Sequence, residues 1–252
     1  MEQIYRFSQQ ENQFFGECLP CTPAVFNQYV DDPKVAWKIS MRRAIEKAIR
    51  DGLSLEVYAE TEEFKTFCTK QESKRGFKNL AIAEKLQQWT TSLKSSLPCF
   101  IFGVKDFALV PKTDKNGQPE LDRNGQPKYY RRRKLESIES LSGLFMFDGD
   151  KLPCDPREIH ERAMAPGFPW QVALSHKTSS DLGIRLVCEA RPEVGNIADN
   201  QICLARDLGI LDMIGLTGKP VCDDSCIDAT RISYVPCRED IYYIDDNKLF
   251  NF

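Results

Sequence analysis

The sequence predicts an α+β protein: a catalytic-looking core with a mostly antiparallel sheet, carried behind a mostly helical N-terminal extension. Three observations predict it. Segments with helical periodicity crowd the region 1–95, apolar strand-like runs crowd 96–252, and two of those runs are joined by the short polar connector His176 to Gly183. A connector of that length suits an antiparallel pair and is too short for a helical crossover. Strands and helices alternate unevenly, which argues against a regularly wound parallel sheet.

The bulk composition bounds the function classes. At 252 residues, 42% hydrophobic and 28% charged, the chain is long enough and apolar enough for a sizeable core. Its net charge of -3 means that any nucleic-acid surface must be local, since broad phosphate contact needs a basic surface. The opening Met1-Glu2-Gln3-Ile4-Tyr5-Arg6 lacks the basic-then-apolar pattern of a secretion signal, and no apolar run is long enough to span a bilayer. The expectation is a cytoplasmic protein with no membrane partner. Ten cysteines are then expected to be reduced thiols. Cys18 and Cys21 have metal-knuckle or redox spacing and Cys222 and Cys226 lie further on, but the paired CxxC motifs of a zinc site are absent. Only His160 and His176 exist, which argues against a histidine-rich metal centre.

The elements follow in order. Up to about residue 33 the chain reads as irregular, with Pro20, Pro23 and Pro33 as helix breakers. Val35 to Asp51 reads as an amphipathic helix with Trp37, Met41, Ala44, Ile45, Ala48 and Ile49 inward, ended by Gly52. Thr61 is placed to cap a helix through Phe64, Phe67 and Cys68, and Phe77 to Leu93 reads as a third helix, with Leu80, Ile82, Leu86 and Trp89 inward. All three are expected to be core packing without chemistry. After Pro98, Cys99 to Val104 reads as a strand. Two copies of Asn-Gly-Gln-Pro, at 116–119 and 124–127, mark a protruding polar loop. Asp114, Asn116 and Gly117 have the opening of a calcium loop without its closing glutamate.

Next comes Tyr129-Tyr130-Arg131-Arg132-Arg133-Lys134. Cations suit phosphates and aromatic rings suit bases, so Tyr130, Arg131, Arg132, Arg133 and Lys134 are candidate nucleic-acid contacts, against the alternative of a solvated charge run. Asp155-Pro156 opens a helix to about Ala165; Trp170–Ser175 and Ile184–Cys188 are the paired strands; Ile197 to about Leu208 is a helix; Arg231–Pro236 and Tyr242–Ile244 are short strands.

The chemistry centres on Leu144-Phe145-Met146-Phe147-Asp148-Gly149-Asp150, an apolar run ending in two carboxylates. Period-two alternation points Asp148 and Asp150 to one face, where two like charges conflict unless a cation joins them. All-oxygen ligands favour Mg²⁺ or Mn²⁺; the plain alternative is an Asp-Gly-Asp turn. Two more polar clusters sit at strand ends: Ser175 to Gly183 closed by Arg185, and Val221 to Arg231 with Asp223, Asp224 and Asp228. Together they supply carboxylates for metal and Ser, Thr, Lys, His and Arg donors for a triphosphate tail.

In that order the motifs resemble the archaeo-eukaryotic primase superfamily. From about Leu97 to Asp245 the chain is similar to the primase-like N-terminal domain of virulence-associated protein E-type proteins of mobile elements. The matching residues are Leu97-Pro98, Leu141-Ser142-Gly143-Leu144 leading into Asp148 and Asp150, Ser180 to Arg185, and Asp223 to Arg231 followed by Ser233-Tyr234-Val235. The resemblance implies a primase-like core with an RRM-like antiparallel sheet and metal-dependent nucleotidyl transfer in mobile-element DNA replication. It implies Mg²⁺ or Mn²⁺ at Asp148, Asp150 and Asp223, with Asp224 and Asp228 competing for the third place. Nucleotide or phosphate contacts would fall to His176, Ser180, Arg185 and Arg231, and the partners would be a nucleoside triphosphate and a single-stranded DNA template or primer. No Walker-type segment is present, so a helicase would come from a partner chain or from a further C-terminal region. The second motif departs from the family pattern: Asp181 stands where glycine is usual and Arg185 where histidine or lysine is usual, with His176 off the expected register. A guanidinium holds phosphate but is no neutral base, which leaves open a degenerate primase-fold module that binds nucleotide or single-stranded DNA without chemistry.

Overall fold

The computed structural model describes residues 4–7, 18–222 and 228–251. The chain opens with β1 (Ile4–Phe7) and β2 (Cys18–Cys21), followed by α1 (Pro23–Val30), α2 (Pro33–Arg50), α3 (Glu56–Ala59), α4 (Glu62–Gln71) and α5 (Ile82–Ser95). Two of the prolines expected to break helices instead start them. Pro23 and Pro33 occupy the first turns of α1 and α2, where a missing N–H costs nothing, behind the caps Thr22 and Asp32. Asp32 Oδ1 accepts from the Lys34 amide at 2.8 Å. Thr61 caps α4 in the same way, accepting from the Phe64 amide.

Beyond the helices come β3 (Cys99–Ile101), β4 (Val104–Phe107), β5 (Leu109–Pro111), β6 (Tyr129–Arg131), β7 (Ile138–Leu141), β8 (Leu144–Gly149), α6 (Pro156–Ala163), β9 (Val172–Lys177), β10 (Ile184–Glu189), α7 (Ile197–Asp207), β11 (Ile232–Tyr234), β12 (Ile241–Ile244) and α8 (Asp246–Phe250). Two four-stranded antiparallel sheets form, in the orders β11-β3-β1-β2 and β12-β9-β10-β8. The first sheet draws β1 and β2 from the region read as a helical extension and β3 and β11 from the region after it, so it crosses the 95/96 boundary. Between β5 and β6 the two Asn-Gly-Gln-Pro copies fold identically. Asp114 Oδ1 accepts from the amides of Asn116 and Gln118, and Asp122 Oδ1 from those of Asn124 and Gln126, at 2.8–2.9 Å. The Asp114 oxygen of the calcium-loop reading is therefore occupied by backbone.

In the second sheet β8 and β9 run the same way and flank β10, a split βαβ unit closed by α6. The fourth strand, β12, joins the outer edge of β9. The free edge of β8 is extended by Val221 and Cys222: Gly149 bridges Cys222, and the Asp150 amide donates to Val221 O at 2.8 Å. Strand β8 is apolar on both faces because both are covered. Leu144 and Met146 join the core between the sheets with Phe100, Phe102, Leu174 and Val187. Phe145 and Phe147 pack under α6 and α7 with Ile159, Ala163, Leu204 and Leu208. Alternation then puts Asp148 on the face of Leu144 and Met146, at the polar end of the space between the sheets.

Candidate functional site

The strand register builds the site. Asp148 on β8 stands opposite Arg185 on β10, and Arg185 stands opposite His176 on β9. Three polar side chains thus lie in one row across three strands, where the next row on that face, Met146, Val187 and Leu174, is apolar. The Arg185 guanidinium pairs with the Asp148 carboxylate and also donates to Ser233 Oγ on β11 at 3.2 Å. Both ion-pair partners are close to fully buried, at 10% and 12% side-chain exposure. Asp150 follows at the exposed strand end and accepts from the Lys151 amide through Oδ1 at 3.0 Å. Lys151 holds a left-handed φ of 52° there.

The β9–β10 connector folds back over the end of β8. The Thr178 amide donates to Gly183 O at 2.8 Å, the Asp181 amide donates to Thr178 O at 3.0 Å, and Asp181 takes a left-handed φ of 68°. Gly183 is required by a close approach. A Cβ there would sit 2.5 Å from Gly149 O and 2.9 Å from Thr178 Oγ1. The connector is clamped from below by buried Asp240, which takes both guanidinium nitrogens of Arg43 at 2.9 and 2.8 Å, while Arg43 also donates to Thr178 O at 2.9 Å. Lys177 bridges Asp240 and Asp181.

These elements enclose a cavity of about 460 Å³. Its floor is Asp148, Arg185 and His176. The connector supplies Thr178, Ser179 and Ser180, and Arg133 and Arg231 enter from the first-sheet side. Arg42 of α2 and Lys94 of α5 close it, with the Arg42 guanidinium donating to Ser179 Oγ. Counting Lys151, six cations face two carboxylates. Such an excess gives the cavity a positive field, which attracts anions. Lys94 registers it: burial lowers its pKa, and the nearby Arg42 and Arg185 charges lower it further.

His176 is buried and pinned. Its Nδ1 lies 2.8 Å from Lys177 O, and since a carbonyl oxygen only accepts, the ring proton is on Nδ1. Burial, and then the Arg185 charge, push its pKa down to about 4, so the ring is neutral near pH 7. Its Nε2 is buried without a hydrogen-bond partner.

Of the residues singled out from sequence, Asp148, Asp150, His176, Ser180, Arg185, Arg231 and Arg133 line this one cavity. His176 stands opposite Arg185 in the strand register and lines the cavity with it. Others go elsewhere. Tyr130 is 7% exposed, so its ring packs in the protein and is unavailable for base stacking; its neighbour Tyr129 is the outward ring, 57% exposed. Arg131 pairs with Asp106 at 3.3 Å beside the Tyr5 hydroxyl, and Lys134 pairs with Glu136 at 2.9 Å. Neither of these nor Arg132 lines the cavity. Asp228 caps a turn, its Oδ1 accepting from the Thr230 amide at 2.7 Å and the Thr230 hydroxyl at 2.6 Å, and it does not line the cavity either. Asp223 and Asp224 lie outside the described residues, which break off after Cys222. Among the described residues, no group of three or more His, Cys, Asp or Glu side chains could hold a metal ion.

Arg42 and Lys94 escaped the sequence reading because they sit on helices read as packing. A signal existed. On α2 the buried stripe runs Val35, Ile39, Arg42, Ile45, Ala48, and an arginine in an apolar stripe marks a buried charge with a purpose. No helix among the described residues is long and apolar enough to cross a membrane. No family model, no curated protein and no solved structure matches the chain.

Proposed function

We propose that the cavity binds a nucleoside triphosphate and that the chain is a primase- or primase-polymerase-like domain performing metal-dependent nucleotidyl transfer in mobile-element DNA replication, with single-stranded DNA as template or primer and a helicase as separate partner. One observation carries the reading. Two carboxylates and six cations, drawn from motifs far apart in sequence, share one cavity with buried serine and histidine side chains. The donor set fits the metal: Asp148 and Asp150 offer oxygen only, and Mg²⁺ is commonly held by one or two carboxylates plus substrate phosphates. When bound, the ion would neutralise phosphate charge and align the attacking oxygen. The chain's own residues do the rest. Arg42, Lys94 and Arg231 hold the phosphates, with Ser179 and Ser180 beside them, and Arg185 pairs with Asp148 on the cavity floor. The low exposure of Arg185 and Asp148 at the cavity floor strengthens the electrostatic contacts made there.

A second reading, a primase-fold module that binds nucleotide or single-stranded DNA without chemistry, is favoured by the Arg185–Asp148 ion pair, which occupies a carboxylate that a metal needs. One experiment separates the two: primer synthesis or extension on single-stranded template with Mg²⁺ or Mn²⁺, for the wild type, Asp148→Ala and Asp150→Ala. Product that both substitutions abolish supports the enzyme. Absence of product, with Mn²⁺ and nucleotide affinities unchanged by Asp148→Ala, supports the binding module.

A further inference from the structure

His176 lines the cation-rich cavity and carries a hydrogen-bonding atom that has no partner. Its Nδ1–H is committed to Lys177 O, so Nε2 carries only a lone pair. That atom is buried and unpartnered, and the residue lines the cavity. A buried acceptor without a donor is unfavourable, and a ligand that supplies the donor removes the penalty.

The chemistry of a nucleotide narrows what can meet it. Phosphate oxygens are acceptors near neutral pH, and an acceptor facing an acceptor is repelled. The donors on a nucleoside triphosphate are the sugar hydroxyls and the base N–H groups. Base edges differ among the four nucleotides, whereas the sugar is common to all of them, and template-directed synthesis must admit all four. We infer that His176 Nε2 accepts a hydrogen bond from a sugar hydroxyl of the bound nucleotide, so that this residue reads the sugar and not the phosphates. The inference rests on the nucleotide reading above and deepens it: sugar selection is set by a side chain in the row Asp148–Arg185–His176. Arg185, between the other two, keeps the acceptor apart from the Asp148 carboxylate.

The test is equilibrium binding to the full chain of ATP, 2′-deoxy-ATP, 3′-deoxy-ATP and inorganic triphosphate, repeated with the uridine series. In the wild type, removing one of the two hydroxyls weakens binding about tenfold or more, equally for both bases. In His176→Phe that difference disappears while inorganic triphosphate binds as before, and His176→Gln, which keeps an acceptor, retains part of it. Equal wild-type affinity for ATP and both deoxy analogues overturns the inference, whatever the variants do. So does a His176→Phe loss as large for inorganic triphosphate as for ATP, which would make the contact a phosphate contact. A fall in Mn²⁺ affinity measured with the metal alone would make His176 a metal ligand and overturn it too. Failure of the wild type to bind any triphosphate is a different result: it removes the nucleotide reading, and this inference with it.

Discussion

Gly183→Ala tests whether the connector is held against the end of β8 as closely as the site requires. The added methyl would meet Gly149 O at 2.5 Å, Thr178 Oγ1 at 2.9 Å and Asp150 Cα at 3.3 Å, where ordinary contact starts near 3.4 Å. Two of those atoms are backbone in strand-end positions that cannot rotate away. The connector must lift, straining the Leu152 amide to Leu182 O bond at 2.7 Å and the Thr178 amide to Gly183 O bond at 2.8 Å. Overpacking of this kind costs about 1–3 kcal/mol, measured as a shift in urea midpoint at constant slope. If the cavity binds nucleotide as proposed, displacing Ser179 and Ser180 also lowers that affinity. Gly149→Ala is the control, because its nearest neighbour is the movable Ile184 Cγ2 at 3.3 Å, and it costs less. A Gly183→Ala protein as stable as the wild type, or more stable than Gly149→Ala, refutes the close-approach argument.

Two further outcomes follow from buried charge. Asp240→Asn removes the anion from the bidentate Arg43 pair and destabilises the protein by about 3 kcal/mol, with Asp240 2% and Arg43 19% exposed; denaturation within about 0.5 kcal/mol of wild type would show the clamp to be idle. His176 refuses a proton until about pH 4 in the folded protein, while in the unfolded chain it takes one near pH 6.5. Its contribution is complete above pH 6.5 and is lost as the pH falls toward 4, by up to about 1.4 kcal/mol per pH unit. The urea midpoint of wild type should therefore fall faster across that window than that of His176→Gln, and parallel curves would contradict it.

How much was legible depends on whether the signal was local. The β9–β10 pair could be read because alternation and a polar connector lie within one stretch of chain, and Asp148 and Asp150 because the apolar run announces them. Helix α1 is hidden from a proline-as-breaker reading, because Thr22 in front of Pro23 converts it into a first-turn residue, as Asp32 does for Pro33 at the start of α2. Strands β1 and β2 carry four residues each; β2 pairs with β1, and β1 pairs with β3, a partner far along the chain that no local window contains. The site was half visible for the same reason. Motif order gave the carboxylates, but the placement of His176 opposite Arg185 is a property of strand register, and the arrival of Arg42 and Lys94 is a property of helix packing. The run Tyr129–Lys134 misled because charge says nothing about direction: one member, Arg133, reaches the cavity, while Arg131 and Lys134 are tied to Asp106 and Glu136.

The boundary at 95/96 yields the sharpest prediction about organisation, since it separates residues that the structure joins. A chain of residues 96–252 alone loses β1 from the interior of the first sheet, leaving β3 an open edge. It also loses Ile4, Cys21, Phe26, Val30, Val35 and Ile39, all at most 3% exposed, from the cluster that covers Phe100 and Phe102. At roughly 2 kcal/mol for each fully buried apolar side chain, that loss is comparable to the roughly 5–15 kcal/mol by which a domain is stable at all. Arg42, Lys94 and the Arg43 bond to Asp240 go with it. The fragment is expected to lack a cooperative unfolding transition, to bind hydrophobic dye and to show no triphosphate affinity. A fragment that unfolds cooperatively and still binds triphosphate would mean that the helices are an appendage and that the binding cavity is built without them.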